Sequence, residues 1–368
     1  MNLVDCYTGC LLGGAIGDAL GAPIEFLSID QIRQKHGPQG LNSFVEYPDN
    51  SGEFTDDTQM TLFTAEGLLR NSHRLLLNKS TAGAPNQITF VSYLRWLHTQ
   101  GNTVSRYPAG VNDSDLKSGW LMKRSDLFRR RSPGNTCSGT LSSGIEGTIE
   151  NPINNSKGCG GIMRMEPVGL FEEDHVAAFA IGAELAAITH GHPSGYLSAG
   201  VFAAIIQQLL SGQDLMASIL PSLSLITAIP GNQETVDAVM NAIELYQFTD
   251  QFSEIFPVEV PEKIAQLGKG WVAEEALAIS LYCSLLFEDD FQKGVLASVN
   301  HSGDSDSTGS ITGNILGLIN GIGGIPQGWI NNLRSADLVW QVGKDLHKGC
   351  KGDMNEPDEE FWEKYPAY

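Results

Sequence analysis

The sequence predicts an all-α fold, and three observations predict it. Apolar residues recur at mixed three- and four-residue steps through several long segments. No stretch sustains the apolar–polar alternation of a half-buried strand between hairpin turns. Small residues crowd two of the apolar segments, the pattern of helices whose backbones meet closely or of a backbone approached by a ligand.

Taken in order, residues 3–22 set Leu3, Cys6, Cys10, Ala15 and Leu20 among closely spaced small residues, which reads as a buried first helix. Residues 58–69 follow with Met60, Leu62, Phe63, Ala65 and Leu68 at helical steps. Segments 176–188, 195–210, 273–286 and 310–319 repeat the pattern. Polar stretches rich in Gly, Pro and Asn at 76–88, 101–118, 131–160 and 228–236 read as surface loops, because the apolar helices on either side must share a core. One domain is therefore expected over 1–346, followed by an acidic, peripheral C-terminal tail over 347–368.

The chain has 368 residues, with 23 basic and 43 acidic side chains and a net charge of −20. A chain this long buries a sizeable core without disulfides. The acidity argues against nucleic acid as a partner, since that affinity comes from Lys and Arg displacing counterions. The first residues, Met1-Asn2-Leu3-Val4-Asp5, lack the basic region of a signal peptide, and no uninterrupted apolar run reaches the ~18 residues of a membrane span. The 6 cysteines form no CxxC pair and read as reduced thiols. A cytoplasmic protein that needs no membrane is the expectation, and nothing demands more than a monomer.

Two acidic clusters carry the strongest chemical signal. Phe54-Thr55-Asp56-Asp57-Thr58 directly precedes an apolar helix. Asp57 could cap that helix, but this leaves Asp56 unexplained, because adjacent carboxylates repel unless a cation or proton lies between them. Gly303-Asp304-Ser305-Asp306-Ser307-Thr308-Gly309 again precedes a Gly-rich apolar segment and offers several hard oxygen donors of the kind Mg²⁺ or Mn²⁺ requires. Two such clusters at helix N-termini favour a shared two-metal site. A third signal is the loop Asn155-Ser156-Lys157-Gly158-Cys159-Gly160-Gly161, which is either an ordinary Gly turn or a cradle of N–H groups for phosphate oxygens. His190 follows an apolar helix, where a histidine commonly serves as a cation for the last carbonyls.

Together these stretches resemble the ADP-ribosylglycohydrolase family. The resemblance is carried by Gly9-Cys10-Leu11-Leu12-Gly13-Gly14-Ala15-Ile16-Gly17-Asp18-Ala19-Leu20-Gly21 with Glu25, and by Thr55-Asp56-Asp57-Thr58. It continues through Gly158-Cys159-Gly160-Gly161-Ile162-Met163-Arg164, Thr189-His190, Gly270-Trp271-Val272-Ala273-Glu274-Glu275-Ala276 and Gly303-Asp304-Ser305-Asp306-Ser307. The resemblance implies a compact orthogonal bundle of many helices with a binuclear Mg²⁺ or Mn²⁺ centre in a cleft. It implies that Thr55, Asp56 and Asp57 hold one metal, and that Asp304, Asp306 and Ser307 hold the other, with an aspartate bridging. Glu25, Asp57 and Asp306 take the catalytic roles. Ser156, Lys157, Gly158, Cys159, Gly160 and Gly161 match the loop that holds the diphosphate, and His190 and Trp271 match positions lining the same pocket. Stretches 76–120 and 212–262 are the least family-like and are expected to shape access for a protein substrate. Residues 132–137 resemble a turn of bacterial relatives without an evident role.

The implied reaction is metal-assisted hydrolysis of the bond between ADP-ribose and a modified protein side chain, foremost arginine, with ADP-ribose as product. Serine-linked or O-acetyl ADP-ribose is the alternative on the same fold. A phosphohydrolase acting on the diphosphate and a catalytically silent ADP-ribose-binding protein are the rivals from other classes.

Overall fold

The computed structural model describes residues 2–45, 51–78, 85–249, 256–350 and 359–367. Every apolar segment singled out in the sequence forms a helix, Leu3–Gly21, Asp56–Asn78, His175–Ala187, Pro193–Leu210, Ala273–Leu286 or Ser305–Gly324, with residues 22 and 188 just beyond the observed ends. The described residues hold no β-strand, only an isolated antiparallel bridge between Gly158 and Val272. The fold is all-α, as the periodicity requires.

At its centre the first helix, Leu3–Gly21, packs antiparallel against Ser305–Gly324 along a seam of glycines. A Cβ on Gly9, Gly13, Gly17 or Gly21 would lie 2.4, 2.1, 1.9 or 2.2 Å from the carbonyl oxygen of Gly317, Gly313, Gly309 or Ser305, respectively. Each step of four residues down one helix is matched by four residues up the other, so the two backbones touch from Gly9 to Gly21. This explains the small residues of both segments as helix–helix contact. It also sets the register that brings the C-terminal end of one helix to the N-terminal end of the other. The first helix is long and apolar enough to cross a bilayer, but every residue from Tyr7 to Gly21 is buried within the protein.

A similar close approach joins His175–Ala187 to Pro193–Leu210, where Gly200 lies against Phe179 and Gly182 against Ala203. The least family-like stretches are not only loops. They contain the helices Pro85–Thr99, Leu215–Ser224, Gln233–Gln247 and Phe256–Ile264. Their ordering follows from burial of Tyr93, Trp96, Ile219 and Val239, which only the core can supply.

The expectation of a peripheral C-terminal tail is corrected at its end. The helix Ala336–Cys350 runs past Leu346, and Phe361 and Tyr365 are buried in the same apolar cluster as Tyr7. The Tyr365 hydroxyl donates to Asp345 Oδ2 at 2.9 Å, and Arg70 donates to the Pro366 carbonyl at 3.1 Å. Three aromatics among the acids, Phe361, Trp362 and Tyr365, supply the apolar area that docks the segment. Of its acidic residues, Glu359 and Glu360 are exposed, whereas Glu356 and Asp358 lie outside the described residues.

Candidate functional site

The glycine seam delivers the end of the first helix to the start of Ser305–Gly324, and the N-terminus of Asp56–Asn78 meets them there. Asp18, the one charged side chain in the buried part of the first helix, makes this junction. Its carboxylate accepts from the backbone N–H groups of Thr55 at 2.8 Å and Thr58 at 3.0 Å, and from the Thr58 hydroxyl at 2.6 Å. Asp18 therefore caps the Asp56–Asn78 helix from another element. Thr55 Oγ1 accepts from the Asp57 N–H at 3.3 Å. Asp57 does not serve as the cap that local sequence allows. With those N–H groups satisfied, its Oδ2 instead accepts from the Ser307 hydroxyl at 2.8 Å, which ties the two acidic clusters together. Asp304 caps Ser305–Gly324 through the Ser307 N–H at 3.3 Å, and Asp306 Oδ1 accepts from the same N–H at 3.0 Å.

Asp18, Asp56, Asp57, Asp304 and Asp306 are buried, and Glu25 is half-buried beside them. One oxygen each of Glu25, Asp304 and Asp306 lies within 4.8 Å of the others. Burial, then the repulsion of Asp306, pushes Asp18 up to about 7, against the hydrogen bonds it accepts from Thr58 and Thr55. Burial followed by Asp306, Asp56 and Asp18 pushes Glu25 up to about 9. Burial also holds Asp56, Asp57 and Asp304 well above the ordinary carboxylate range. Among the described residues no Lys, Arg or His forms an ion pair with any of the six. Buried like charges without a counter-charge are costly, and hard oxygen donors in this number suit divalent cations of the Mg²⁺ or Mn²⁺ type. The donor set fits the metal centre that the sequence implied.

All of these carboxylates except Asp18 form the floor of a cleft of about 740 Å³, a volume typical of small-molecule sites. Gly158, Cys159 and Gly160 line it, as do His190 and Trp271. Cys159 donates its thiol hydrogen to Asp304 Oδ2 at 2.8 Å, joining the Gly-rich loop to the acidic cluster. His190 is not a helix-end cation. Complete burial and the nearby Arg164 guanidinium lower it to about 3, so it lines the cleft as a neutral ring, with Nδ1 2.9 Å from the Thr189 hydroxyl.

Three of the expected binding residues are not on the cleft lining. Lys157 is turned onto Glu234 at 2.8 Å and Glu274, ion pairs that hold its ammonium off the cleft lining. Ser156 accepts from the Gly158 N–H at 3.3 Å and shapes the loop from behind, and Gly161 is packed against Ala186 and His190. Stretches 76–120 and 212–262 contribute nothing to the lining among the described residues. The wall comes instead from residues 130, 132–137 and Met163, with Phe26 beside Glu25. The Gly134 N–H donates to Asp56 Oδ2 at 3.1 Å, and Thr136 Oγ1 lies 3.2 Å from Ser156 Oγ, so the 132–137 turn bridges the acidic cluster and the Gly-rich loop. Asp18, Phe26 and Arg130 are site residues that sequence reasoning passed over. A charged residue inside an otherwise apolar, fully buried helix was the available signal for Asp18.

The family model for ADP-ribosylglycohydrolase matches residues 1–356. The chain belongs to the ADP-ribosylglycohydrolase family. ADP-ribosyl-[dinitrogen reductase] glycohydrolase of Rhodospirillum rubrum is 23% identical over 334 residues, covering 89% of this chain and 90% of the relative. ADP-ribosylarginine hydrolase Tri1 of Pseudomonas putida is 23% identical over 351 residues, covering 93% and 78%. A solved structure described as an ADP-ribosylglycohydrolase-related protein complex superposes with a TM-score of 0.62 at 22% identity, over 95% of this chain and 99% of that one. The all-α ADP-ribosylglycohydrolase fold and the family's hydrolase chemistry are thus those of this protein.

Proposed function

We propose that this chain is an ADP-ribosylarginine hydrolase that frees ADP-ribose from modified proteins with the help of two divalent cations. The observation that carries the reading is the cluster of four buried aspartates and half-buried Glu25, without a positive partner among the described residues, on the floor of a cleft lined by a Gly-rich loop, with Asp18 behind them. The arginine linkage is supported by the name of the Pseudomonas putida relative, ADP-ribosylarginine hydrolase Tri1.

Thr55, Asp56 and Asp57 would hold one cation, and Asp304, Asp306 and Ser307 the other. Mg²⁺ or Mn²⁺ bound there supplies a Lewis acid for ribose hydroxyls and a water of lowered pKa. The protein's own groups do the rest. Asp18 fixes the Thr55–Thr58 turn from behind, so that the Asp56 and Asp57 carboxylates face the cleft without moving. Gly160, on the cleft lining in the first turn after Gly158, offers its backbone to the diphosphate. The surrounding carboxylates offset positive charge that develops at C1″ as the glycosidic bond breaks. A guanidine leaves poorly unless protonated, and Glu25, which lines the cleft beside the aspartates, is the group positioned to donate a proton to the departing nitrogen. Cysteines that read as reduced thiols fit a reducing, cytoplasmic setting.

The test is incubation with arginine- and serine-ADP-ribosylated proteins, with Mg²⁺, Mn²⁺ or chelator, read as free ADP-ribose by mass spectrometry. Metal-dependent release from the arginine substrate is expected. Release from the serine substrate alone would replace the acceptor. AMP would point to diphosphate cleavage, and no product with any metal would leave a binding protein.

A further inference from the structure

Two large aromatic side chains stand in solvent at the mouth of this cleft. Phe26 is 77% exposed and Trp271 is 37% exposed, and both line the cleft. They stack on each other, with ring centroids 5.4 Å apart and an interplanar angle of 19°. A ring as exposed as Phe26 contributes little to the core, so the protein keeps apolar surface in water at an unfavourable free energy.

Their placement ties them to the carboxylates. Phe26 directly follows Glu25. Trp271 follows Gly270, where a Cβ would lie 3.3 Å from Asp304 Cβ, and the Asp304 N–H donates to the Lys269 carbonyl at 2.8 Å. The Trp271 carbonyl in turn accepts from the Cys159 N–H at 3.2 Å, which fixes the indole's backbone to the Gly-rich loop. One ring is therefore carried by the neighbour of Glu25 and the other by the segment packed on Asp304. The pair rims the carboxylate end of the cleft, where the bond to the acceptor breaks. One face of Phe26 is covered by Trp271, and its exposure leaves the other open.

We propose that Phe26, supported by Trp271, is the acceptor subsite, and that it selects a planar cation, the guanidinium of an arginine side chain, over a hydroxyl or ammonium acceptor. This rests on the hydrolase reading above and deepens it by naming what sorts the substrates. A guanidinium stacks flat on an aromatic face while its in-plane N–H groups remain free to meet a carboxylate. Phe26 supplies the face, and the carboxyl group of the adjacent Glu25 an oxygen acceptor beside it. A serine-linked substrate has neither the plane nor the charge, and a compact ammonium cannot stack as a plane. Trp271 stacks on one face of Phe26, so the ring's orientation does not have to be fixed during binding.

The experiment compares wild type, Phe26→Ala, Phe26→Tyr and Trp271→Ala in two independent arms. In the first, N-acetylarginine amide and N-acetyllysine amide are titrated calorimetrically into protein saturated with ADP-ribose. Wild type is expected to bind the arginine probe at least about fivefold more tightly than the lysine probe. Phe26→Ala is expected to abolish that preference, Phe26→Tyr to restore it, and the affinity for ADP-ribose itself to be the same in Phe26→Ala as in wild type. In the second arm, kcat/KM for an arginine-linked substrate is expected to fall about three- to tenfold in Phe26→Ala relative to any cleavage of a serine-linked one. Loss of ADP-ribose affinity in Phe26→Ala would make the rings a platform for the adenine and overturn the proposal. An unchanged arginine preference would overturn it too, while leaving the hydrolase reading intact. Wild type that prefers the arginine probe yet releases nothing from arginine-linked substrates would retain the subsite and refute the hydrolase reading instead.

Discussion

Replacing Gly17 with alanine sets two effects against each other. Helix propensity alone favours the change by about 1 kcal/mol, because alanine restricts the unfolded chain and glycine does not. The seam opposes it. The new methyl carbon would sit 1.9 Å from the Gly309 carbonyl oxygen and 2.3 Å from its carbon. An ordinary carbon–oxygen approach is about 3.3–3.6 Å. The two helices would have to part by more than about 1 Å, and a gap of that size forfeits up to half of each dispersion contact across it. Overpacking of this kind costs about 1–3 kcal/mol, here at the upper end because both colliding groups are backbone-linked and cannot swing aside. A net loss of about 2 kcal/mol is expected. Gly139, in the helix Asn135–Ser142, is the control: nothing lies within 4 Å of its built Cβ, so Gly139→Ala should gain up to about 1 kcal/mol. Denaturant midpoints of the two variants, taken with wild type in chelator, measure both. Gly17→Ala as stable as wild type, or more so, would refute the seam as the element that fixes the two helices.

Two further predictions follow from the buried charges. Asp304→Ala should lose metal binding and ADP-ribose release together, while in chelator relief of like-charge repulsion should offset the loss of the cap that Asp304 gives Ser305–Gly324, leaving the melting temperature close to that of wild type; near-wild-type turnover with Mg²⁺ present would contradict the metal role. His301, buried with its ring nitrogen Nε2 2.9 Å from the Thr308 hydroxyl, is lowered to about 4 by that burial. The unfolded chain takes up this proton below about 6.5 and the folded chain refuses it until about 4, so stability is fully present above that window and falls as pH drops through it, by roughly 3 kcal/mol at 1.36 kcal/mol per pH unit. His301→Gln should flatten the fall between pH 6.5 and 4 in thermal melts, and an unchanged slope would remove His301 as its cause.

The acidic clusters were legible because carboxylates at helix N-termini exceed what capping needs, and the fold class because its helices are long and apolar. Close approach of the first helix to Ser305–Gly324 was legible in the glycines, but not their pairing, since nothing local in Gly13 names Gly313. Asp18 was hidden because its role is to cap a helix that begins well beyond its own. Lys157 looked like a phosphate ligand because Glu234 and Glu274, which hold it, lie far along the chain. The 132–137 turn became intelligible only through its bonds to Asp56 and Ser156. The acidic appearance of the C-terminal segment concealed the aromatics that dock it.

The central claim is that the carboxylate cluster holds two divalent cations. Titrating metal-free protein with Mn²⁺ while following the free ion by electron paramagnetic resonance counts the sites directly. Two Mn²⁺ ions per chain in wild type, with binding lost in Asp304→Ala, is the predicted result. A wild-type chain that leaves all added Mn²⁺ free, or binds it equally after Asp304→Ala, would contradict it.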